Sequence, residues 1–234
     1  MNENILIVGA TGKTGRIIVQ KMLDRGDQPR VFVRDQALAE NLFGGNVQAI
    51  IGDVRQNESL LPAMDGIDTV ISAIGSRTPV GKNCPKRVDY QGVENMVQAA
   101  VGAGVRRFIL ISSIAVTKPG HPMNCFGKVL EYKLKGEDIL RNSGMDYLVI
   151  RPGGLKDTAG GKKSLILDQG DHIMGTISRS DVAALCLFAL DYPGELRLTF
   201  EAVESDDEGP QNLADCFSSL IKDETGTTLS ESTP

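Results

Sequence analysis

The chain has 234 residues, enough for one domain with a full hydrophobic core. Its formal net charge of −5 excludes the basic footprint that nucleic acid or an anionic membrane surface requires. No apolar run reaches the length of a membrane span, and the first residues lack the basic and apolar regions of a secretion signal. We therefore expect no nucleic-acid partner and no integral membrane segment.

The four cysteines are scattered along the chain without a close pair, at Cys84, Cys125, Cys186 and Cys216. This spacing is unlike that of zinc ligands and unlike the disulfide framework of a secreted domain. We expect free thiols, no metal site, and a cytoplasmic or otherwise reducing location.

An apolar run that ends at three glycines opens the chain. Residues 5–8 predict a buried strand, and the apolar spacing over 13–25 predicts the helix that follows. Glycine permits a tight turn and a close backbone approach, and the N-terminus of a helix attracts phosphate. The sequence therefore predicts that this turn binds the pyrophosphate of a dinucleotide through Gly9, Thr11, Gly12, Lys13, Thr14 and Gly15.

Apolar segments of strand length alternate with helical patterns over the rest of the chain. The predicted strands are 30–33, 47–51, 69–73, 108–112, 147–150 and 196–200. The predicted helices are 37–43, 59–64, 87–103, 129–142 and 178–191. This alternation predicts an α/β fold: one doubly wound domain of the Rossmann type over 1–203, with a mainly parallel sheet covered on both faces.

The composition changes near Glu204. Residues 204–234 are acidic and rich in Ser, Thr and Gly. One amphipathic segment, 213–221, predicts a short helix that packs on the body. The stretch from Asp223 onwards is predicted to be disordered.

Two charged residues follow the second predicted strand, where this fold meets the ribose of adenosine. Arg34 comes first, and a guanidinium binds the 2′-phosphate of NADP. Asp35 follows, and a carboxylate there would favour NAD. With Lys13 and Arg16 near the glycine turn, the charges favour NADP over NAD. The alternative is that Arg34 is only a solvated charge at the end of a strand.

Small and acidic residues end the third and fourth predicted strands. Asp53 either accepts a hydrogen bond from the adenine amino group or caps the next helix, and Val54 lies against the adenine ring. Ala73 and Gly75 let the nucleoside approach the backbone. The long polar loop 76–86 that follows is of the kind that often carries function.

These segments and several later ones resemble the atypical short-chain dehydrogenase/reductases, in the NmrA-like branch that includes biliverdin reductase B. The motifs are Gly9-Ala-Thr-Gly-Lys-Thr-Gly15, Val33-Arg-Asp35, Gly52-Asp-Val54, Val88-Asp-Tyr-Gln-Gly92, Ile111-Ser-Ser113, Ser143-Gly-Met-Asp-Tyr147 and Arg151-Pro-Gly-Gly-Leu155. Segments 124–127, 133–137 and 151–156 are similar to a cyanobacterial and plastid subgroup. The resemblance implies a Rossmann fold and NADP(H) binding, often with an undefined substrate.

The same resemblance implies the residues around the nicotinamide. Ser112 or Ser113 takes the place of the family's catalytic serine, and Lys133 that of its lysine, which also holds the nicotinamide ribose. The usual tyrosine stands four residues before the lysine, but Val129 occupies that position and has no proton to give. Tyr132 is adjacent to Lys133 and points about 100° away around the helix, so it does not replace the missing tyrosine.

Residues after the sixth predicted strand complete the expected site. Pro152, Gly153 and Gly154 are expected to place backbone beside the nicotinamide carboxamide, although they also suit an ordinary exit from a strand. Residues 156–164 are expected to form a mobile lid. We expect loops 76–86, 118–126 and 156–173 to form the acceptor pocket.

Two functions fit this sequence. The first is an NADP(H)-dependent oxidoreductase that passes hydride to a flavin-, quinone- or enone-like acceptor, since such acceptors need no strong protein acid. The second is a non-catalytic NADP(H)-binding module that senses redox state or docks on a partner protein, which Val129 favours. A small-molecule substrate and a protein partner are thus both open, as are an isomerase activity and the choice between monomer and dimer.

Overall fold

The computed structural model describes residues 3–209 and 212–224. The strands are β1 (Ile5–Val8), β2 (Arg30–Val33), β3 (Gln48–Ile51), β4 (Thr69–Ser72), β5 (Arg107–Ile111), β6 (Asp146–Pro152), β7 (Gly154–Lys156), β8 (Lys163–Asp168), β9 (Thr176–Ser178) and β10 (Leu198–Glu208). The α-helices are α1 (Lys13–Asp24), α2 (Gln36–Phe43), α3 (Asn57–Met64), α4 (Gln91–Gly102), α5 (Val129–Arg141), α6 (Arg179–Asp191) and α7 (Leu213–Ser218).

Eight strands form one sheet in the order β3-β2-β1-β4-β5-β6-β10-β8. Neighbouring strands are parallel except β8, which runs antiparallel to β10 at the edge. β7 and β9 pair as a separate parallel ribbon. The α/β fold with one mainly parallel, doubly wound sheet is thus confirmed.

Helices cover both faces of the sheet. Side chains of α1, α2 and α6 pack on one face against alternate residues of the central strands, such as Ile7 and Ile109. Side chains of α3, α4 and α5 pack on the other face, against residues such as Leu6 and Phe108. Because both faces are buried, the central strands are mostly apolar, with polar residues at or near their ends, such as Thr69, Ser72 and Arg107.

The strand order reverses at β1, which lies between β2 and β4. Val8, the last residue of β1, pairs with Phe32 on one side and Ser72 on the other. The residues that follow these three strands therefore meet at one edge of the sheet. In open α/β sheets, this reversal point is where a ligand binds.

Three short strands were not predicted. β7, β8 and β9 lie in segments where the sequence suggested a strand exit, a lid and loops. The acceptor-pocket loop expected over 156–173 is therefore wrong as a loop, because 163–168 pairs with β10. An edge strand has one neighbour and mixed exposure, so its apolar pattern is weak. Pro152 and Arg151 also belong to β6 and do not follow it.

The chain continues in ordered contacts beyond residue 203. β10 crosses the change in composition and ends at Glu208, and Phe217 of α7 packs against Phe200 and Phe188. The carboxylate of Asp223 accepts hydrogen bonds from the hydroxyls of Tyr147 (2.9 Å) and Thr199 (2.6 Å). Disorder was predicted from Asp223 onwards, so these contacts do not fit the prediction at Asp223 itself; residues 225–234 lie outside the described residues. Among the described helices, none has the length and apolar character of a membrane span.

Candidate cofactor and acceptor site

The glycine turn joins β1 to α1 at the reversal point. Gly9 has a φ of 85°, and a Cβ on it would lie 2.7 Å from the carbonyl oxygen of Ala73. The turn closes through a hydrogen bond from the Gly12 N–H to the Gly9 carbonyl, 2.9 Å. Gly12 precedes α1 without a side-chain cap, so the first N–H groups of α1 face the edge of the sheet without a capping oxygen. Such N–H groups bind phosphate oxygens.

Gly15 has a packing role in the same turn. It is buried, and a Cβ on it would overlap the carbonyl group of Gly9. The residue therefore lets α1 approach the turn closely, as expected of the third glycine of a dinucleotide fingerprint. Neither Gly15 nor Thr14 is among the residues that line the cleft.

A cleft of about 390 Å³ opens above the turn. Among its lining residues, the sequence had singled out Gly9, Thr11, Gly12, Lys13, Arg34, Asp53, Val54, Ala73 and Gly75. Residues not predicted also line it, including Phe32, Arg55, Arg77 and Asn83. The fold thus brings the predicted dinucleotide residues of four strand ends together in one cavity.

Arg34 and Asp35 diverge after β2. The carboxylate of Asp35 caps α2 by accepting a hydrogen bond from the Leu38 N–H, 3.0 Å. Arg34 lines the cleft, and its Nη1 donates to Oδ1 of Asn83 at 3.2 Å. Of the two residues, only the cation faces the cavity.

The carboxylate of Asp53 is held by Arg55. Arg55 donates from Nε to Oδ1 at 2.8 Å and from Nη2 to Oδ2 at 2.5 Å. This side-chain hydrogen bonding lowers the pKa of Asp53 below its ordinary value, against the effect of burial. The capping alternative for Asp53 does not occur, because Gln56 is the N-cap of α3 and has no side-chain cap bond.

The loop after β4 contributes to the cleft beside Arg34. Arg77 and Asn83 line the cavity, and the carbonyl of Lys82 accepts from Nη1 of Arg55 at 2.6 Å. The sequence had assigned loop 76–86 to the acceptor pocket. The signal that was missed is the clustering of basic residues at the ends of two neighbouring strands, Arg34 after β2 and Arg55 after β3.

A second, narrow cavity of about 10 Å³ borders the cleft and shares Ile74 with it. Ser112 and Lys133 line this cavity, and so does Asp89, which the sequence had not singled out. Lys133 Nζ lies 2.8 Å from Oδ1 of Asp89. The predicted serine and lysine therefore come together, with a carboxylate as a third member.

The Ser112 hydroxyl donates its proton to the carboxylate of Glu137, which is fully buried. Burial raises the pKa of Glu137, but the charges of Arg151 and Arg141 outweigh it, and the pKa lies below its ordinary value. Arg151 Nη2 lies 2.7 Å from Oε2 of Glu137, and its Nη1 lies 3.2 Å from Oε1 of Glu201. Ser112 thus presents lone pairs and no free proton to the cavity.

The backbone polar groups at the end of β6 are hydrogen-bonded within the chain. The Gly153 N–H donates to the carbonyl of Ala202, and the Gly154 N–H donates to the carbonyl of Gly175, both at 2.9 Å. The carbonyl of Pro152 accepts from the Ile114 N–H at 3.1 Å. The N–H groups of Gly153 and Gly154 are therefore already paired within the chain, whereas the Pro152 carbonyl keeps a second lone pair.

Val129, which stands at the position of the usual tyrosine, has apolar surroundings in the structure. Val129 is buried among Ala115, Val116, Leu130 and Leu134. Tyr132 stacks on Tyr90 with ring centroids 6.3 Å apart. Within the described residues, no group of three or more His, Cys, Asp or Glu side chains is placed to hold a metal ion.

A family model described as NAD(P)H-binding matches residues 9–193. The chain belongs to this family. It binds a nicotinamide cofactor.

Named relatives agree. A chloroplast protein of Arabidopsis thaliana, itself uncharacterised, is 34% identical over 211 residues, which are 80% of this chain and 65% of that protein. Sanguinarine reductase of Eschscholzia californica is 31% identical over 229 residues, with 80% and 84% covered. The chloroplast protein TIC 62 of Arabidopsis thaliana is 30% identical over 207 residues, 77% of this chain but 32% of that protein. The chain thus spans less than two thirds of two of these relatives.

A solved structure gives the same result. ChuY of Escherichia coli O157:H7, described as an anaerobillin reductase, superposes with a TM-score of 0.75 at 25% identity and covers 87% of this chain and 98% of its own. The resemblance to the atypical, NmrA-like short-chain dehydrogenase/reductases is confirmed. The expected cytoplasmic location is wrong, because two of the relatives above are chloroplast proteins, which points to a plastid.

Proposed function

We propose that this protein is an NADP(H)-dependent oxidoreductase that passes hydride from NADPH to a flavin-, quinone- or enone-like acceptor. One observation carries the choice of NADP over NAD: Arg34 faces the cleft while the carboxylate of Asp35 caps α2. A carboxylate facing the ribose would repel a 2′-phosphate, whereas a guanidinium binds it with two parallel hydrogen bonds. Arg77, which also lines the cleft, adds positive charge there.

The rest of the cleft suits the other parts of the cofactor. The first N–H groups of α1, with Thr11 and Lys13, hold the pyrophosphate. Asp53 and Val54 meet the adenine, and Ala73 with Gly75 leaves room for the nucleoside. Lys133 lines the adjoining cavity at the nicotinamide end.

The acceptor must suit a site with no tyrosine. When bound, the nicotinamide supplies a hydride. Val129 has no ionisable proton, and the Ser112 hydroxyl donates its hydrogen bond to the carboxylate of Glu137, so neither protonates an acceptor. Flavins and quinones fit such a site, because placement of the two reactants supplies much of the rate and the proton comes from water or from an ammonium group. Two relatives described as reductases, sanguinarine reductase and ChuY, support a reductase.

A second candidate is a non-catalytic NADP(H)-binding module that docks on a partner protein. Two features favour this non-catalytic function: Val129 stands in place of the tyrosine, and the Ser112 hydroxyl is hydrogen-bonded to Glu137. Both remove the usual acid–base chemistry and leave the cleft intact. The two candidates share the cofactor and differ in turnover.

Titration of the purified protein with NADPH and with NADH, followed by cofactor fluorescence, tests the first half of the proposal. We expect NADPH to bind at least about tenfold more tightly, since a charge-assisted contact to the 2′-phosphate contributes about 1.5–3 kcal/mol. Equal affinity would overturn the preference.

Oxidation of NADPH in the presence of flavin mononucleotide, menadione and an enone tests the second half. Turnover above that of the acceptor and NADPH without protein supports the oxidoreductase. Tight NADPH binding with no consumption of any acceptor supports the second candidate, whose own test is a change in partner binding between NADPH and NADP⁺.

A further inference from the structure

Asp89 is a buried carboxylate that lines the narrow cavity beside the cleft. Its side chain is 1% exposed, and its Oδ1 lies 2.8 Å from Nζ of Lys133, whose side chain is 17% exposed. Its other oxygen, Oδ2, accepts a hydrogen bond from the Ser76 N–H at 3.1 Å. A buried carboxylate is stable only when it is paired, so Asp89 and Lys133 depend on each other.

The backbone brings Asp89 to Lys133. Asp89 lies in a π-helical turn, Lys86–Tyr90, that leads into α4, and such turns are frequent at functional sites. Gly136 lies one turn after Lys133 on α5, and a Cβ there would be 2.6 Å from the carbonyl oxygen of Asp89. Glycine at this position lets α5 approach the π turn closely enough for the ion pair to form.

Lys133 retains donors for a ligand. A lysine ammonium has three N–H groups, and its 2.8 Å ion pair with Asp89 occupies at most one of them. Among the described residues that line the narrow cavity, the polar ones are Asp89, Ser112 and Lys133, and the rest are apolar. The Ser112 hydroxyl donates its hydrogen bond to Glu137. Lys133 Nζ is therefore the proton carrier that this cavity presents.

We propose that Asp89 is a positioning residue for the reduction: it holds the ammonium group of Lys133 in place at the narrow cavity beside the cleft. This inference rests on the proposed function. The acceptor gains a hydride at one atom and a proton from Lys133 Nζ at another, and NADPH becomes NADP⁺. The resulting lysine amine regains its proton from water, to which its 17% exposure gives access. Asp89 acts through Lys133 and does not itself touch the acceptor.

A merely structural role would give different results. Asp89 also anchors the start of the loop after β4 through the Ser76 N–H. In Asp89→Asn the amide oxygen still accepts this hydrogen bond, whereas the negative charge on Lys133 is lost. Asp89→Glu restores the charge one methylene away. Circular dichroism and thermal unfolding confirm that each variant folds, and D89E remains informative if D89N does not.

The first measurement needs no cofactor and no turnover. Competitive labelling of amines with acetic anhydride, read by mass spectrometry, compares Lys133 with Lys135, an exposed lysine on the same helix. We expect Asp89→Asn to raise the labelling rate of Lys133 by about fivefold, because Nζ loses the buried carboxylate that holds it at 2.8 Å, and to leave Lys135 unchanged. An unchanged rate at Lys133 would overturn the proposal.

The second measurement uses menadione as the acceptor. We expect Asp89→Asn to lower kcat by about 10-fold to 100-fold, while the Kd for NADPH changes by less than about twofold. In a Lys133→Met background, adding D89N is expected to change kcat by less than about twofold, because Asp89 acts only through the lysine. A full loss from D89N in that background would show an independent role and overturn the proposal.

The control is Glu131→Gln, which removes a carboxylate that pairs with Lys135 at 3.4 Å on the exposed side of α5. It is expected to change neither the labelling of Lys133 nor kcat. If the native protein turns over no acceptor, the proposed function fails and the catalytic part of this inference fails with it. The labelling result would then still decide whether Asp89 controls Lys133.

Discussion

Lys13, at the start of α1, is paired with a carboxylate of the chain itself: its Nζ lies 2.9 Å from Oδ2 of Asp157. Asp157 follows β7 and also accepts from Nη1 of Arg179 at 2.6 Å. The hydrogen bond from Lys13 and the charge of Arg179 lower the pKa of Asp157. The ammonium group of Lys13 is thus already paired with the carboxylate of Asp157. A pyrophosphate bound at this end of the cleft would compete with that carboxylate for Lys13.

Removing this carboxylate should strengthen cofactor binding. We expect Asp157→Asn to lower the Kd for NADPH by about threefold at low salt, a modest effect because both side chains are more than half exposed. The difference should shrink as the salt concentration rises. Fluorescence titration at two ionic strengths measures both.

Asp191→Asn is the matched control, because Asp191 pairs with Arg25 just after the far end of α1, at 2.9 Å. It should leave NADPH affinity unchanged. Weaker binding in Asp157→Asn would mean that Asp157 helps to close the chain over the cofactor, contrary to this prediction.

Arg34 should discriminate between the two nicotinamide cofactors. We expect Arg34→Gln to raise the Kd for NADPH by about 10-fold to 100-fold and to leave NADH within about twofold, since only NADPH has a 2′-phosphate for the guanidinium. Titration of both cofactors against the same variant gives the answer. Arg16→Gln, on α1 but not among the residues that line the cleft, serves as the control. An equal loss of affinity for NADPH and NADH would mean that Arg34 contacts a part that both dinucleotides share.

Local signals explain what could be predicted from the sequence. The turn from Gly9 to Gly15 is specified by residues close in the chain, and the strand ends at Arg34, Asp53 and Ala73 meet because a doubly wound sheet has one reversal point. The apolar patterns predict the central strands, so the alternation of strands and helices and the position of the cleft follow from the sequence.

Contacts between distant residues explain what could not. The ion pairs of Arg151 with Glu137 and Glu201 join three elements, and no spacing in the sequence indicates them. The pairing of β8 with β10 likewise joins segments about 40 residues apart, and an edge strand has a weak pattern. The role of Asp35 as the N-cap of α2 was not predicted, because a cap and a ribose ligand use the same carboxylate and only the backbone after β2 decides between them.

Gly15 should be intolerant of a side chain. We expect Gly15→Ala to destabilise the fold by about 1–3 kcal/mol, because its Cβ would overlap the carbonyl of Gly9 and force α1 away from the turn. Urea unfolding measures the change. Gly102→Ala, at the end of α4, has no atom within 4 Å of the added Cβ and should be neutral or stabilising by up to about 1 kcal/mol. A Gly15→Ala protein as stable as the native one would contradict the packing role.

The buried carboxylate of Glu137 should make stability depend on pH. Its pKa in the folded protein is below the ordinary value of 4.5, so the folded state favours the ionised form and the unfolded state takes up a proton at higher pH. The stabilisation is therefore complete above about pH 4.5 and is lost as the pH falls through the folded pKa. We expect Glu137→Gln to cost about 3 kcal/mol at pH 7, because Arg151 and Arg141 lose a buried partner.

The difference between the native protein and Glu137→Gln should then narrow as the pH falls from about 7 to about 3.5, because the unfolded native chain takes up a proton at Glu137 that the folded carboxylate resists and the Gln variant cannot bind. Denaturant unfolding at several pH values measures the gap. Glu131→Gln, on the exposed side of the same helix, should cost about 0.5 kcal/mol or less. A gap for Glu137→Gln that stays constant across this range would show that the network depends on the shape of the side chain, with its charge contributing nothing.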